Sequence, residues 1–394
     1  MTKISRTTDM TQGSEMRHII MFSLPLLAGN LLQQTYNIVD TMVVGRYLGD
    51  DALAAVGATG SITYLFYTLC IGLSVGAGII VAQYFGAGKK KALQSAVFNS
   101  ALVTAIFGVV ISLLSVPAAK PILELLKVPD KLIGDSAAYM QIACGGTIAV
   151  AAYNWINAIM RALGDSKTPL IFLGAASLLN ALLDLLFVVV FKFGIAGAAW
   201  ATVLTQALSA ISCIVYCFAV SGEIKLTADD LHTDKDMMSR CVKTGVPIAI
   251  QNGLISVSMV ALQRVTNGFG ETVMAAYTVS MRIEQFVQQP FSSLNAAVST
   301  FTGQNIGAGQ EKRAQKGLAC AIKISVIFSA VVLVLFTLFG GAITSWFVKG
   351  KTVISISAKA LIITSLFYWS LGIIHTTRGF LNGAGAVSYT HLTL

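Results

Sequence analysis

Charge is what this sequence has least of. Only 11% of its 394 residues are Asp, Glu, Lys or Arg, while 55% are hydrophobic. A soluble domain is about a quarter charged. A soluble core of this size could not hide so much apolar surface, so lipid must solvate part of it. The apolar residues are not spread in stripes, as they would be in a soluble bundle. They run in blocks of about 20 residues or more, each long enough to cross a bilayer as a helix.

Other absences narrow the chemistry. There is no CxxC pair among the six cysteines and no HExxH zinc pattern. Cys213 and Cys217 share a helix face inside an apolar segment, where such pairs pack rather than bind metal. Gly86-Ala87-Gly88 before three lysines lacks the earlier glycine of a phosphate loop, since residue 83 is Gln83, and lacks its Ser or Thr at Lys90. It reads as a tight turn. Gly72-Leu73-Ser74-Val75-Gly76 matches GxSxG, with His375 as a conceivable base. A nucleophile elbow needs a strand–turn–helix setting, and this stretch lies in an apolar helix. The intramembrane serine protease reading is therefore a minor alternative. The net charge of +9 is read against the membrane before any nucleic acid, and neither a nucleic-acid partner nor a cofactor is expected. The polar first 20 residues show no small-residue cleavage site, so no cleavable leader is expected.

What is present is an all-α polytopic pattern. Ten spans are expected, near 18–46, 53–85, 92–116, 131–163, 168–191, 194–220, 243–268, 271–305, 314–340 and 353–381. Amphipathic stretches at 118–127 and 341–350 could lie in the interface. Residues 221–242 hold Glu223, Asp229, Asp230, Asp234 and Asp236 with Lys225, Lys235 and Arg240, and read as a linker. Lys3, Arg6 and Arg17, the lysines at 89–91, Arg161 with Lys167, and Lys312, Arg313 and Lys316 all fall on one side if residues 1–17 are cytoplasmic. The expected location is the cytoplasmic (inner) membrane.

The chain repeats itself. PLLAGNLL around Pro25 faces PIAIQNGL around Pro247. LGDDALAAV (48–56) faces FGETVMAAY (269–277), and QYFGAGKKK (83–91) faces QNIGAGQEK (304–312). The period covers six spans, an even number, so both copies keep one topology about an axis along the membrane normal. The expected architecture is two pseudo-symmetric six-helix lobes, 18–220 and 243–385. The second copy holds only four spans and so reads as truncated, with a possible non-native tail at 386–394. Pro25 and Pro247 are candidate hinges, tolerated where neighbours re-satisfy the freed backbone. RGFLNGAG (378–385) is matched with RALGDSKTP (161–169).

Ionisable residues inside spans are costly and are the default functional candidates. Asp40 follows Gln33, Gln34, Tyr36 and Asn37 in span one. Asp184 sits in span five with Asn180 one turn earlier on the same face. If both acids face one cavity, they suit a small cation such as Na⁺. They suit a proton equally, because burial and a like charge both favour the protonated acid. The blander alternative is a helix cap at Asp40 and a helix–helix hydrogen bond at Asp184. In span eight, Arg282 and Glu284 precede Gln285, Gln288 and Gln289; the pair could be structural, or Glu284 could touch substrate. The second-half match to Asp40 falls near Ala261 and Leu262, so coupling is expected in the first half alone.

Taken in order, the Pro25–Asn30–Asp40 span, the GAG turns, RALGDSKTP, NALLD and MRIEQF followed by TGQNIGAG resemble the multidrug and toxic compound extrusion (MATE) transporters over roughly 15–385. The resemblance implies two lobes in a V and export of cationic or amphipathic compounds in exchange for H⁺ or Na⁺. It implies a first-lobe cation site at Asp40, Asn180, Asp184 and Thr202. Gln33, Tyr36, Asn37, Asn154, Arg282, Glu284 and Gln285 are further cavity candidates. Spans seven and ten carry no carboxylate, which speaks against a second-lobe ion site. It also implies a monomer among membrane lipids. The rival within the superfamily is a lipid-linked oligosaccharide flippase. Such a protein would need cations in its cavity, and this sequence offers mainly Arg264 and Arg282 within spans.

Overall fold

The computed structural model describes residues 7–220, 224–225 and 231–386. Lys3, Arg6, Glu223, Asp229 and Asp230, and residues 387–394 of the expected tail, lie outside them. The described residues form helices and connecting turns. The first lobe holds α1 (Glu15–Leu48), α2 (Asp50–Gly86), α3 (Lys90–Leu125), α4 (Asp130–Gly145), α5 (Thr147–Ala162), α6 (Lys167–Asp184) and α7 (Gly194–Val220). The second holds α8 (Lys235–Asn267), α9 (Glu271–Gly307), α10 (Glu311–Ser345), α11 (Lys351–Ser365) and α12 (Tyr368–Ala384). Ser14 caps α1 by accepting from the Arg17 amide, and Asp234 caps α8 by accepting from the amides of Asp236 and Met237.

Among the described residues, six helices are long and apolar enough to cross a membrane: α2, α3, α6 with its extension to Val190, α7, α8 and α10. Two bent pairs join them, α4 with α5 at 43° and α11 with α12 at 51°. By length and apolarity alone, six to eight of the ten expected crossings are recovered among the described residues. The difference is α1 and α9, which are 34 and 37 residues long but carry the glutamines, Asp40 and Glu284 in their middles. Expected spans four and ten are each two helices. The break at Gly145-Gly146-Thr147 lets α5 set off in a new direction. The stretches expected to lie flat in the interface instead continue α3 to Leu125 and α10 to Ser345. Pro25 and Pro247 both sit inside unbroken helices.

From Gly49 onward the repeat is legible at one offset of 221. Three turns use glycines in the left-handed region, where a Cβ is strained: Gly49 and Gly270, Gly88 and Gly309, Gly164 and Gly385. Ser136 donates to the Ala55 carbonyl at 3.2 Å, and Ser357 donates to the Ala276 carbonyl at 3.0 Å. Between lobes, Gln83 donates to the Gly383 carbonyl at 3.0 Å, and Gln304 donates to the Ala162 carbonyl at 2.9 Å. This fixes the register of the second copy. Gly164 pairs with Gly385, so Arg161 corresponds to Asn382 and Asn157 to Arg378. The expected match of Arg378 to Arg161 is therefore four residues out of step.

The lobes meet at one end, here called the base, where the α2–α3 and α9–α10 turns lie. Gly86 lies against the Gln304 backbone and Gly307 against the Gln83 backbone, so neither site has room for a Cβ. Alongside, Gly72 and Gly76 of α2 lie on Ala249 and Gly245 of α8. Small residues at such crossings let backbones approach and gain dispersion contact. Farther from the base the contact thins to Gly253 against Leu65, and Gly60 and Gly57 face open space. The N-terminal segment crosses the seam at the base. Met10, 1% exposed, donates its amide to Gln304 Oε1 at 2.9 Å and accepts at its carbonyl from Asn305 and Arg313.

Candidate functional site

The first lobe encloses a cavity of about 390 Å³ lined from α1, α2, α4, α5, α6 and α7. Helical periodicity explains its α1 wall. Pro25, Gly29, Gln33, Tyr36, Asn37 and Asp40 recur at three- and four-residue steps. The α5 wall is Val150, Tyr153, Asn154, Asn157 and Arg161 on the same principle. Gly29 touches Leu170 and Leu173, so the Pro25 end of the cavity is the base end of α6.

At the far end the two acids meet. Asp40 lines this end of the cavity, and Asp184 is its immediate acidic neighbour. Asp184 and Asn180 are 0% and 1% exposed. With its amide nitrogen turned to the carboxylate, Asn180 donates to Asp184 Oδ2 at 2.8 Å and its oxygen accepts from the Thr202 amide at 3.3 Å. The opposite amide orientation would set an oxygen against a carboxylate. Tyr36 and Thr202 both line the cavity here. Oδ1 of Asp40 and Oδ1 of Asp184 are both buried with no partner among the described residues. Buried carboxylate oxygens are expensive to leave bare. Asp184 closes the α-helical part of α6, and Leu185–Val190 continues it as a π-helix. Such segments concentrate at functional sites because the widened turn re-aims side chains. Val43, Val44, Ala55 and Val188 pack beside the site as one apolar cluster.

The four residues that the sequence reading grouped as a cation site are thus brought together, and Asp40 is no helix cap. Gln33, Tyr36, Asn37 and Asn154 line the same cavity. The α9 candidates do not. Arg282 and Gln285 are exposed on α9, and Arg282 forms no ion pair with Glu284. Glu284 instead lies beside Thr364 and Tyr368 in the second lobe. The protease pair is also set apart. Ser74 is 1% exposed and donates to its own helix at the Cys70 carbonyl, 2.9 Å away, while His375 stacks on Phe291. Cys213 and Cys217 pack in the first-lobe core. Tyr139, Tyr153, Asn157, Arg161 and Gln206 line the cavity and were not singled out from the sequence. The signal was there in α5, as polar residues at helical spacing within an apolar run. Arg161 in particular is no turn residue: it belongs to α5 and faces the cavity.

The MatE family profile matches residues 25–186 and 247–393. The chain belongs to the MatE family. It is 29% identical to the probable multidrug resistance protein YpnP of Bacillus subtilis over 96% of this chain and 85% of that protein. It is 30% identical to the probable multidrug resistance protein YoeA of the same organism, over 97% of this chain and 84% of that one. A MOP superfamily transporter from Pyrococcus furiosus shares the fold at a TM-score of 0.91 and 23% identity, over 98% of this chain and 87% of that one. The protein is a multi-pass membrane transporter of the multidrug efflux class with small-molecule substrates.

Proposed function

We propose that this MatE member exports cationic or amphipathic organic compounds in exchange for H⁺ or Na⁺, and that Asp40, Asn180, Asp184 and Thr202 hold the coupling cation. The observation that carries this reading is a pair of neighbouring acids, each with a buried oxygen left bare, of which Asp40 lines one end of a cavity of drug-like size. Oxygen ligands would replace the hydration shell of Na⁺, or the two acids would share a proton. Loading that pair relieves a repulsion that an empty site retains, so occupancy biases how the first-lobe helices pack and which way the cavity opens. Pro25 is the proposed hinge of α1 and Pro247 that of α8. The protein acts as a monomer in the cytoplasmic membrane with its N-terminus inside and catalyses no covalent chemistry. The flippase reading is weaker, because a pyrophosphate calls for several unpaired cations and the first-lobe cavity lining includes one arginine.

The test is dye efflux from proteoliposomes under an imposed Na⁺ gradient and then under a pH gradient. One gradient is expected to drive efflux, and Asp184→Asn is expected to uncouple it. Efflux that ignores both gradients, or an Asp184→Asn protein that responds like the parent, removes the reading.

A further inference from the structure

The base end of the first-lobe cavity carries a charge that the cation site does not use. Arg161 lines this cavity and also the adjoining space of about 90 Å³ between α2, α5 and α9. It therefore stands at the seam of the lobes with its guanidinium on open volume. Among the described residues it has no ion pair and no side-chain hydrogen bond. The acid nearest in sequence is engaged elsewhere. Asp165 Oδ1 accepts from the amides of Lys167 and Thr168 at 3.0 and 2.9 Å, and Oδ2 accepts from the Thr168 hydroxyl at 2.6 Å. The neighbours on its own face, Asn154 and Asn157, are neutral.

The scaffold does not require a cation at this position. The repeat places Asn382 there in the second lobe, and the two inter-lobe glutamine hydrogen bonds form on both sides regardless. Arg161 is also remote from the acids. From Tyr153, level with Tyr36 in the cavity, α5 rises about 12 Å to Arg161 towards the base. From Tyr36, α1 rises about 6 Å to Asp40 in the opposite sense. The cavity is thus dipolar, with the Asp40 carboxylate at one pole, the Arg161 guanidinium at the other, and tyrosines and aliphatic side chains between.

We propose that Arg161 binds an oxyanion group of the exported molecule, a carboxylate or a phosphate, so that the substrates this protein handles best are amphipathic anions or zwitterions. The planar guanidinium fork matches either group with two parallel hydrogen bonds. A positive group on the same molecule would face the carboxylate pole. This inference rests on the exporter reading and deepens it by naming the substrate class.

Equilibrium binding to the purified protein tests it without any gradient. Norfloxacin against its methyl ester reads carboxylate recognition. 4-Methylumbelliferyl phosphate against 4-methylumbelliferone reads phosphate recognition, and ethidium serves as a purely cationic control. In at least one pair the parent protein is expected to favour the anionic member by about tenfold or more, the worth of a charge-assisted contact. Arg161→Gln is expected to erase that preference while ester and ethidium binding persist, which also reports that the variant is folded. Arg161→Lys is expected to keep part of it. A parent protein with no preference in either pair overturns the inference and leaves the exporter reading intact. So does an Arg161→Gln protein that keeps the preference, or one that loses all probes equally. A parent protein that binds none of the five probes overturns both.

Discussion

At the scale of single residues, the first-lobe site depends on carboxylate oxygens left without partners. Asp184 is held on one oxygen by Asn180 and left bare on the other, beside a bare oxygen of Asp40. Replacing either acid by its amide keeps the shape and removes the charge. Asp40→Asn or Asp184→Asn is expected to lower gradient-driven efflux by about tenfold or more, the equivalent of about 1.4 kcal/mol of lost cation binding. Counting dye release from proteoliposomes checks it. Ser74 offers the contrasting case. Its hydroxyl bonds only to its own helix, a local contact of small net worth. Ser74→Ala is expected to leave both efflux and thermal stability unchanged, and a loss of efflux would reopen a chemical role for that serine.

At the scale of elements, the ends of α2 and α9 form a clasp related by the repeat. Gln304 serves both sides of it, donating to the Ala162 carbonyl and accepting from the Met10 amide. It is 0% exposed. Gln304→Ala strands both buried groups, at about 1–3 kcal/mol for each. The expected outcome is a fall in the unfolding midpoint of the detergent-solubilised protein, larger than that of Gln83→Ala, because Gln83 is given one such contact. Equal shifts would show that the N-terminal segment adds nothing to the clasp. Gly86 and Gly307 belong to the same element, and each abuts a partner backbone. Gly307→Val is expected to part the lobes at the base, read as an increased distance between spin labels placed on the two GAG turns.

At the scale of the whole molecule, the proposed export cycle would have the lobes move against each other. Asn30 of α1 donates to Ser293 of α9 at 3.1 Å across the lobe boundary. A protein with Asn30→Cys and Ser293→Cys is expected to cross-link under mild oxidation and to stop exporting dye, with activity restored by reductant. Cross-linking without loss of export would show that this contact persists through the cycle. The comparison with known relatives belongs to this scale as well, since the two-lobe architecture is shared with the Pyrococcus furiosus transporter at a TM-score of 0.91.

Much of this was written in the sequence. Apolar blocks dictate membrane helices because lipid leaves no other way to satisfy a backbone. The repeat dictates two like lobes, and the scarcity of buried acids singles out Asp40 and Asp184. Tertiary structure decided the rest. A helix period shows which residues share a face but not what that face meets, so the approach of Asp40 to Asp184 waited on the packing of α1 against α6. The Gly145-Gly146 break that turns α5, and with it Arg161, into the cavity could not be told from an ordinary glycine pair in an apolar run. The clasp was hidden for a similar reason. Sequence marks Gln83 and Gln304 as repeats of each other, but only the docked lobes show that each reaches a carbonyl of the opposite half.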